Sequence, residues 1–118
     1  MTSKPFVTLD YTAQFKKELK RFYRKYRNVQ QDIQPLIDNL QQGSFQGDQV
    51  PGVGYTVYKV RVRSSDQTKG KSGGYRVIYY LRTAQFVVLL RIYHKSVRSD
   101  LPPDVIRQVI QEYERNSN

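Results

Sequence analysis

The sequence predicts a small α+β domain: an antiparallel-rich sheet in the order β-α-α-β-β-β-α, with two N-terminal helices on one face and a C-terminal helix. Three observations lead there. Apolar residues recur at helical spacing near both ends of the chain. Between them, three apolar-rich runs alternate with a period of two. The 118 residues contain neither an internal repeat nor a linker-like stretch, which fits one domain spanning residues 1–118.

Phe6-Val-Thr-Leu-Asp10 reads as a short first strand, and Asp10 as the cap of a helix beginning at Tyr11. Tyr11, Phe15, Leu19, Phe22 and Tyr26 form the apolar stripe of that helix, which marks them as core, and Lys16, Lys17, Lys20, Arg21, Arg24 and Lys25 surround it. Ile33, Leu36, Ile37 and Leu40 give the stripe of a second helix. Pro35 places its start near Asp32, because proline is tolerated only in a first turn, and Gly43 suits its end. Gln42 to Gly54 is rich in Gly, Pro and Gln and reads as a surface connection. Strands follow at about 55–63, 74–82 and 85–93, the last two joined at Thr83-Ala84 as a hairpin. Ser99-Asp-Leu-Pro-Pro-Asp starts a last helix whose apolar face is Val105, Ile106, Val109, Ile110 and Tyr113.

Alternation assigns the faces of the strands. Tyr58, Val60 and Val62 share one face of the first long strand, and Lys59, Arg61 and Arg63 the other. In the next strand Tyr75, Val77, Tyr79 and Leu81 oppose Arg76, Ile78 and Tyr80. In the last, Phe86, Val88, Leu90 and Ile92 oppose Val87, Leu89, Arg91 and Tyr93. One face is then apolar and packs on the N-terminal helices. The other carries Lys59, Arg61, Arg63, Arg76, Arg91 and Tyr93, provided that no bulge shifts the parity.

The balance of 20 Lys+Arg against 10 Asp+Glu gives a formal net charge of +10, which attracts polyanions. The absence of Cys excludes disulfides, Cys-ligated zinc and thiol catalysis, and a single His argues against a His-based metal site. No metal and no small-molecule cofactor is expected. No apolar run approaches the roughly 20 residues of a membrane span, and the N-terminal residues lack a hydrophobic signal region, so the cytoplasm is the default compartment and no membrane partner is expected.

Like charges on one strand face repel, and a face that keeps them fits an anionic ligand. From Lys59 to Arg76 the chain holds Lys59, Arg61, Arg63, Lys69, Lys71 and Arg76 against the single acid Asp66, with Tyr55, Tyr75, Tyr80 and Tyr93 interleaved or nearby. Cations contact phosphates and flat rings stack on unpaired bases, which makes RNA the first candidate; a solvated strand face is the plain alternative. Gly70-Lys71-Ser72 is not a phosphate-binding P-loop, because Ser65 stands where the first glycine belongs and a strand follows. The segment from Arg91 to Arg98 contains Tyr93, His94 and Lys95 at a strand end. His94 is a candidate general acid or base there, although a lone His at a strand end is more often a surface or capping residue. Lys59, crowded by Arg61 and Arg76, is a second candidate base.

The segments Tyr58-Lys-Val-Arg-Val-Arg63 and Gly74-Tyr-Arg-Val-Ile-Tyr79, the loop Lys69-Gly-Lys-Ser-Gly-Gly74 and the ending Ile92-Tyr-His-Lys-Ser-Val-Arg-Ser-Asp-Leu101 resemble the RelE/ParE superfamily of bacterial toxins, and its RelE/HigB-like branch more closely. The resemblance implies the toxin of a type II toxin–antitoxin pair that cleaves mRNA at the ribosome without metal and is silenced by a cognate antitoxin. It implies catalytic roles for Lys59, Arg61 and Arg76, with His94 added from the reading of the strand end. It implies RNA contacts by Lys95 and Arg98, to which the reading of the cationic face and its loop adds Arg63, Lys69, Lys71, Arg91 and Tyr93. The sequence departs from the RelE pattern at Ser96, Pro102 and His94, where that branch has Arg, Tyr and Gly. Two alternatives stand beside the nuclease: a ParE-like, non-catalytic poison of DNA gyrase, and an inactive RNA-binding relative.

Overall fold

The computed structural model describes residues 6–65, 74–95 and 100–116. Five strands form one sheet in the order β1-β5-β4-β3-β2, where β1 is Thr8–Tyr11, β2 Asp48–Gln49, β3 Val57–Val62, β4 Tyr75–Thr83 and β5 Phe86–His94. β1 runs parallel to β5, and every other pairing is antiparallel. Helices α1 (Ala13–Lys25) and α2 (Val29–Gln41) cover one face, and α3 (Pro103–Asn116) covers the other. The α+β class and the element order agree with the sequence reading. The additional strand is β2, which lies inside what read as a plain connection.

The two faces bury separate cores. Phe15, Val29, Ile33, Leu36, Ile37 and Leu40 from the helices meet Val62, Tyr75, Val77, Tyr79, Val87, Leu89 and Ile92. On the reverse, Val57, Ile78, Tyr80, Val88, Leu90 and Tyr93 meet Leu101, Ile106 and Ile110. The sheet side expected to carry the cations is thus largely roofed by α3. Val53, within the supposed surface connection, is fully buried in this second core. Arg107 of α3 secures it by donating to the carbonyls of Gly52 and Val53.

Local chemistry corrects several boundaries. Thr12, not Asp10, caps α1: its hydroxyl accepts from Phe15 N–H at 2.9 Å and donates to the Leu90 carbonyl at 2.8 Å. Tyr11 therefore ends β1 instead of opening the helix. Asp10 accepts the Tyr113 hydroxyl at 2.7 Å, tying β1 to α3. Helix α2 begins at Val29, before Asp32, and carries Pro35 inside it on the exposed side. Burial of its apolar stripe outweighs the backbone bond that the proline removes. Gly47 has φ +103°, and a Cβ there would come within 2.5 Å of the Lys59 carbonyl, so glycine is what allows β2 to close on β3.

The last strand departs from strict alternation. Ile78 pairs with Arg91 but Tyr79 pairs with Leu89, so β5 has one extra residue at that point. Val88 and Leu90 face α3, whereas Ile92 joins Leu89 and Val87 beneath α1 and α2. Ile92 and Tyr93 lie on the faces expected of them, but the bulge puts Val87 and Leu89 beneath α1 and α2 and Val88 and Leu90 beneath α3, the reverse of the expectation.

Candidate nucleic-acid interface

The antiparallel register of β3 and β4 sets Arg61 directly opposite Arg76, and β5 adds Tyr93 beside Arg76. Opposed residues in such a pair place their Cβ atoms about 4.5–5.5 Å apart. The two guanidinium groups belong to one row. Arg61 is exposed, while Arg76 is only 8% exposed and Tyr93 5%. Nη1 of Arg76 is buried and has no acceptor among the described residues. A buried donor left unmade beside a like charge is costly, and an oxyanion seated against it would satisfy both.

Lys59 lies one row further along, opposite Ile78 and not Arg76. Its ammonium is 2.9 Å from Asp100 Oδ1, in the segment that leads into α3. The expected crowding of Lys59 by Arg76 is replaced by this ion pair. The two line a groove of about 310 Å³ with Gln49, Ile78, Leu101 and Ile106. Asp100 is the residue that sequence reading missed; in Ser99-Asp-Leu it resembled an ordinary helix-start residue. Arg63 is exposed just beyond β3, and Lys95 follows β5, its N–H bonded to the Gly74 carbonyl. Lys69, Lys71 and Arg98 lie outside the described residues.

Two expected members are placed elsewhere. Arg91 stays in register opposite Ile78, but Glu18 of α1 draws its side chain away from the row. Its Nε and Nη2 lie 2.9 and 2.7 Å from Glu18 Oε2, and the other oxygen of Glu18 accepts from Ile92 N–H at 3.0 Å. His94 follows Tyr93 and so points to the opposite face, where it is 1% exposed. It stacks on Tyr26 at 5.2 Å and meets Tyr75 edge-on at 5.6 Å. Burial, and secondarily the charge of Lys25, hold its imidazole below the ordinary histidine range. The expected convergence of His94 on the cations is thus overturned by strand alternation. The stacking platform is corrected too. Tyr75 is buried on the α1 side, Tyr80 and Tyr93 lie under α3, and Tyr55 is half-buried edge-on to Tyr80.

Among the described residues, no group of three or more His, Asp or Glu side chains is placed to hold a metal ion. No helix of these residues is long and apolar enough to cross a membrane.

Residues 9–98, which contain the sheet from Leu9 onward and the cationic row, match the family described as the ParE toxin of the type II toxin–antitoxin system parDE. The chain belongs to this family. It is thus a type II toxin of the RelE/ParE superfamily, and that membership implies a cognate antitoxin as partner. The fold of the toxin is similar to that of E. coli RelE, solved in the free state as a double arginine-to-alanine mutant. The TM-score is 0.54 at 20% identity, over 80% of the toxin and 88% of RelE. No curated protein matches the toxin.

Proposed function

We propose that this toxin is a ribosome-dependent mRNA endoribonuclease of the cytoplasm. The observation that carries the reading is the Arg61–Arg76 pair, with Arg76 Nη1 buried and lacking an acceptor among the described residues. Intramolecular RNA cleavage needs cations where negative charge gathers on the phosphorane, and preorganised donors meet that need. A ribose 2′-hydroxyl attacks its own 3′-phosphate, leaving a 2′,3′-cyclic phosphate and a free 5′-hydroxyl. Arg76 and Arg61 hold the non-bridging oxygens. Asp100 takes the 2′-hydroxyl proton, and Lys59, 2.9 Å away, protonates the leaving 5′-oxygen. Arg63, Lys95 and the residues Lys69, Lys71 and Arg98 extend the contact to flanking phosphates. His94 has no part in this step, because it lies across the sheet.

The family match favours a second reading, a gyrase poison that cuts nothing itself. Induction in cells separates the two. The nuclease gives translation-dependent mRNA cleavage without prior DNA damage, and Arg76→Ala removes cleavage and toxicity while the protein stays folded. DNA damage with intact mRNA, or full cleavage by the Arg76→Ala protein, overturns the nuclease.

A further inference from the structure

The groove beside the cationic row contains an acid that the cleavage step leaves unused. Asp48 of β2 stands directly opposite Lys59, yet the Lys59 ammonium pairs with Asp100. Asp48 is exposed and belongs to no ion pair among the described residues. With Lys59 and Asp100 it lines the groove of about 310 Å³. Ile78, Leu101 and Ile106 give this groove an apolar lining, and Pro51 and Pro103 add two rigid rings. We infer that the groove seats the base of the nucleotide whose 2′-hydroxyl attacks, and that Asp48 selects guanine there. The inference rests on the cleavage reading, which fixes where that ribose lies.

Three features of the groove agree with a base. The first is position. Arg61 and Lys59 share a strand face two residues apart, about 6.6 Å along β3. A phosphate held by Arg61 and Arg76 then puts its ribose against Lys59 and Asp100, and the base one step further on, beside Asp48. The second is size and polarity. Ligand pockets span about 300–1,000 Å³, so this groove has room for one base and not for a stretch of chain. Apolar surface and proline rings suit the flat faces of a base, and the polar rim meets its edge. The third is the sign of the rim. A carboxylate repels phosphate, so a phosphate subsite has no use for Asp48. An ionised carboxylate only accepts hydrogen bonds. Guanine offers it two adjacent donors, N1–H and the N2 amine. Adenine and cytosine set a ring acceptor beside their amine, and uracil has one N–H between two carbonyls. A carboxylate therefore discriminates for guanine and against the other three bases.

The test uses the full chain and dinucleotides in which a 2′-deoxynucleoside is joined through its 3′-phosphate to uridine, so that binding is read without cleavage. Affinities come from NMR titration of the Val50 and Leu101 methyl signals. The guanine dinucleotide binds tightest. Hypoxanthine, which lacks the N2 amine, binds about tenfold more weakly, and adenine and cytosine more weakly still. Asp48→Asn replaces two acceptors by one acceptor and one donor, which matches the amine and ring nitrogen of adenine, so the preference moves from guanine to adenine. Asp48→Ala removes the preference. Arg76→Ala weakens every dinucleotide alike, because it holds phosphate and not the base. Equal affinity for all the bases, or an unchanged preference in Asp48→Asn, overturns the inference. So do methyl signals that move with an arginine-containing peptide and with no dinucleotide, which would assign the groove to a basic segment of a partner protein. Normal mRNA cleavage, at sites that Asp48→Asn leaves unchanged, removes the groove reading alone. Guanine-selective binding by a chain that cleaves no mRNA removes the nuclease reading alone.

Discussion

A buried guanidinium nitrogen without an acceptor lowers the stability of a folded protein, and Arg76 Nη1 is in that position beside the like charge of Arg61. Arg76→Met keeps most of the side-chain volume and removes the charge. It is expected to leave stability unchanged or raise it by about 1 kcal/mol in urea unfolding, while cleavage is lost. A core arginine with only a structural role would instead cost stability when replaced. His94 has the opposite character. Its folded-state pKa lies below the unfolded value of 6.5, so above that pH both states are neutral and nothing is lost. As pH falls below about 6.5, the unfolded chain takes up a proton that the native chain resists, and stability declines until the native pKa is passed. Chemical denaturation between pH 7.5 and 5 is expected to show this decline, and His94→Asn to flatten it while leaving RNA cleavage unaffected. Alternation by itself places Arg76 with Arg61. The burial of Arg76 was not legible in the sequence, because it depends on how closely α3 and its leader press on the sheet.

Glu18 joins a helix to a bulge, and its effect belongs to the element. Its two oxygens satisfy Arg91 and the Ile92 N–H, where β5 carries its extra residue. Glu18→Ala is expected to cost about 2–4 kcal/mol in urea unfolding, since it leaves a half-buried cation and a backbone donor unpaired. The parity of β3 and β4 was readable from Val57 to Thr83. In β5 it held for Ile92 and Tyr93 but was reversed from Val87 to Leu90, because no residue there announces a bulge: Leu90, Arg91 and Ile92 suit a regular strand equally well. Arg91 was assigned to the cationic row because nothing in the sequence shows that Glu18 draws its side chain away. The start of α1 failed differently, since Asp10 and Thr12 are both good caps and only the Leu90 carbonyl decides between them. In α2, proline chemistry argued for a late start, yet Val29 and Ile33 bury enough surface to carry Pro35 past the first turn.

At the scale of the whole molecule, the sheet needs covers on both faces. Without α3, the apolar side of Val57, Ile78, Tyr80, Val88 and Leu90 would meet water. A chain ending at Pro102 is expected to aggregate or to bind a hydrophobic dye strongly, checked by light scattering and dye fluorescence. The parallel pairing of β1 with β5 has a bearing on how the toxin is born. Thr8 finds its partner Phe86 only after three other strands have been translated. As the ribosome releases the chain, α1 and α2 emerge before β3, β4 and β5, which supply the buried sheet residues beneath them, and β1 has nothing to lie against. Native pairing of so distant a kind is slow, because loop closure must precede any reward. The nascent chain therefore spends most of its synthesis without the assembled cationic row, which needs β3, β4 and β5 side by side.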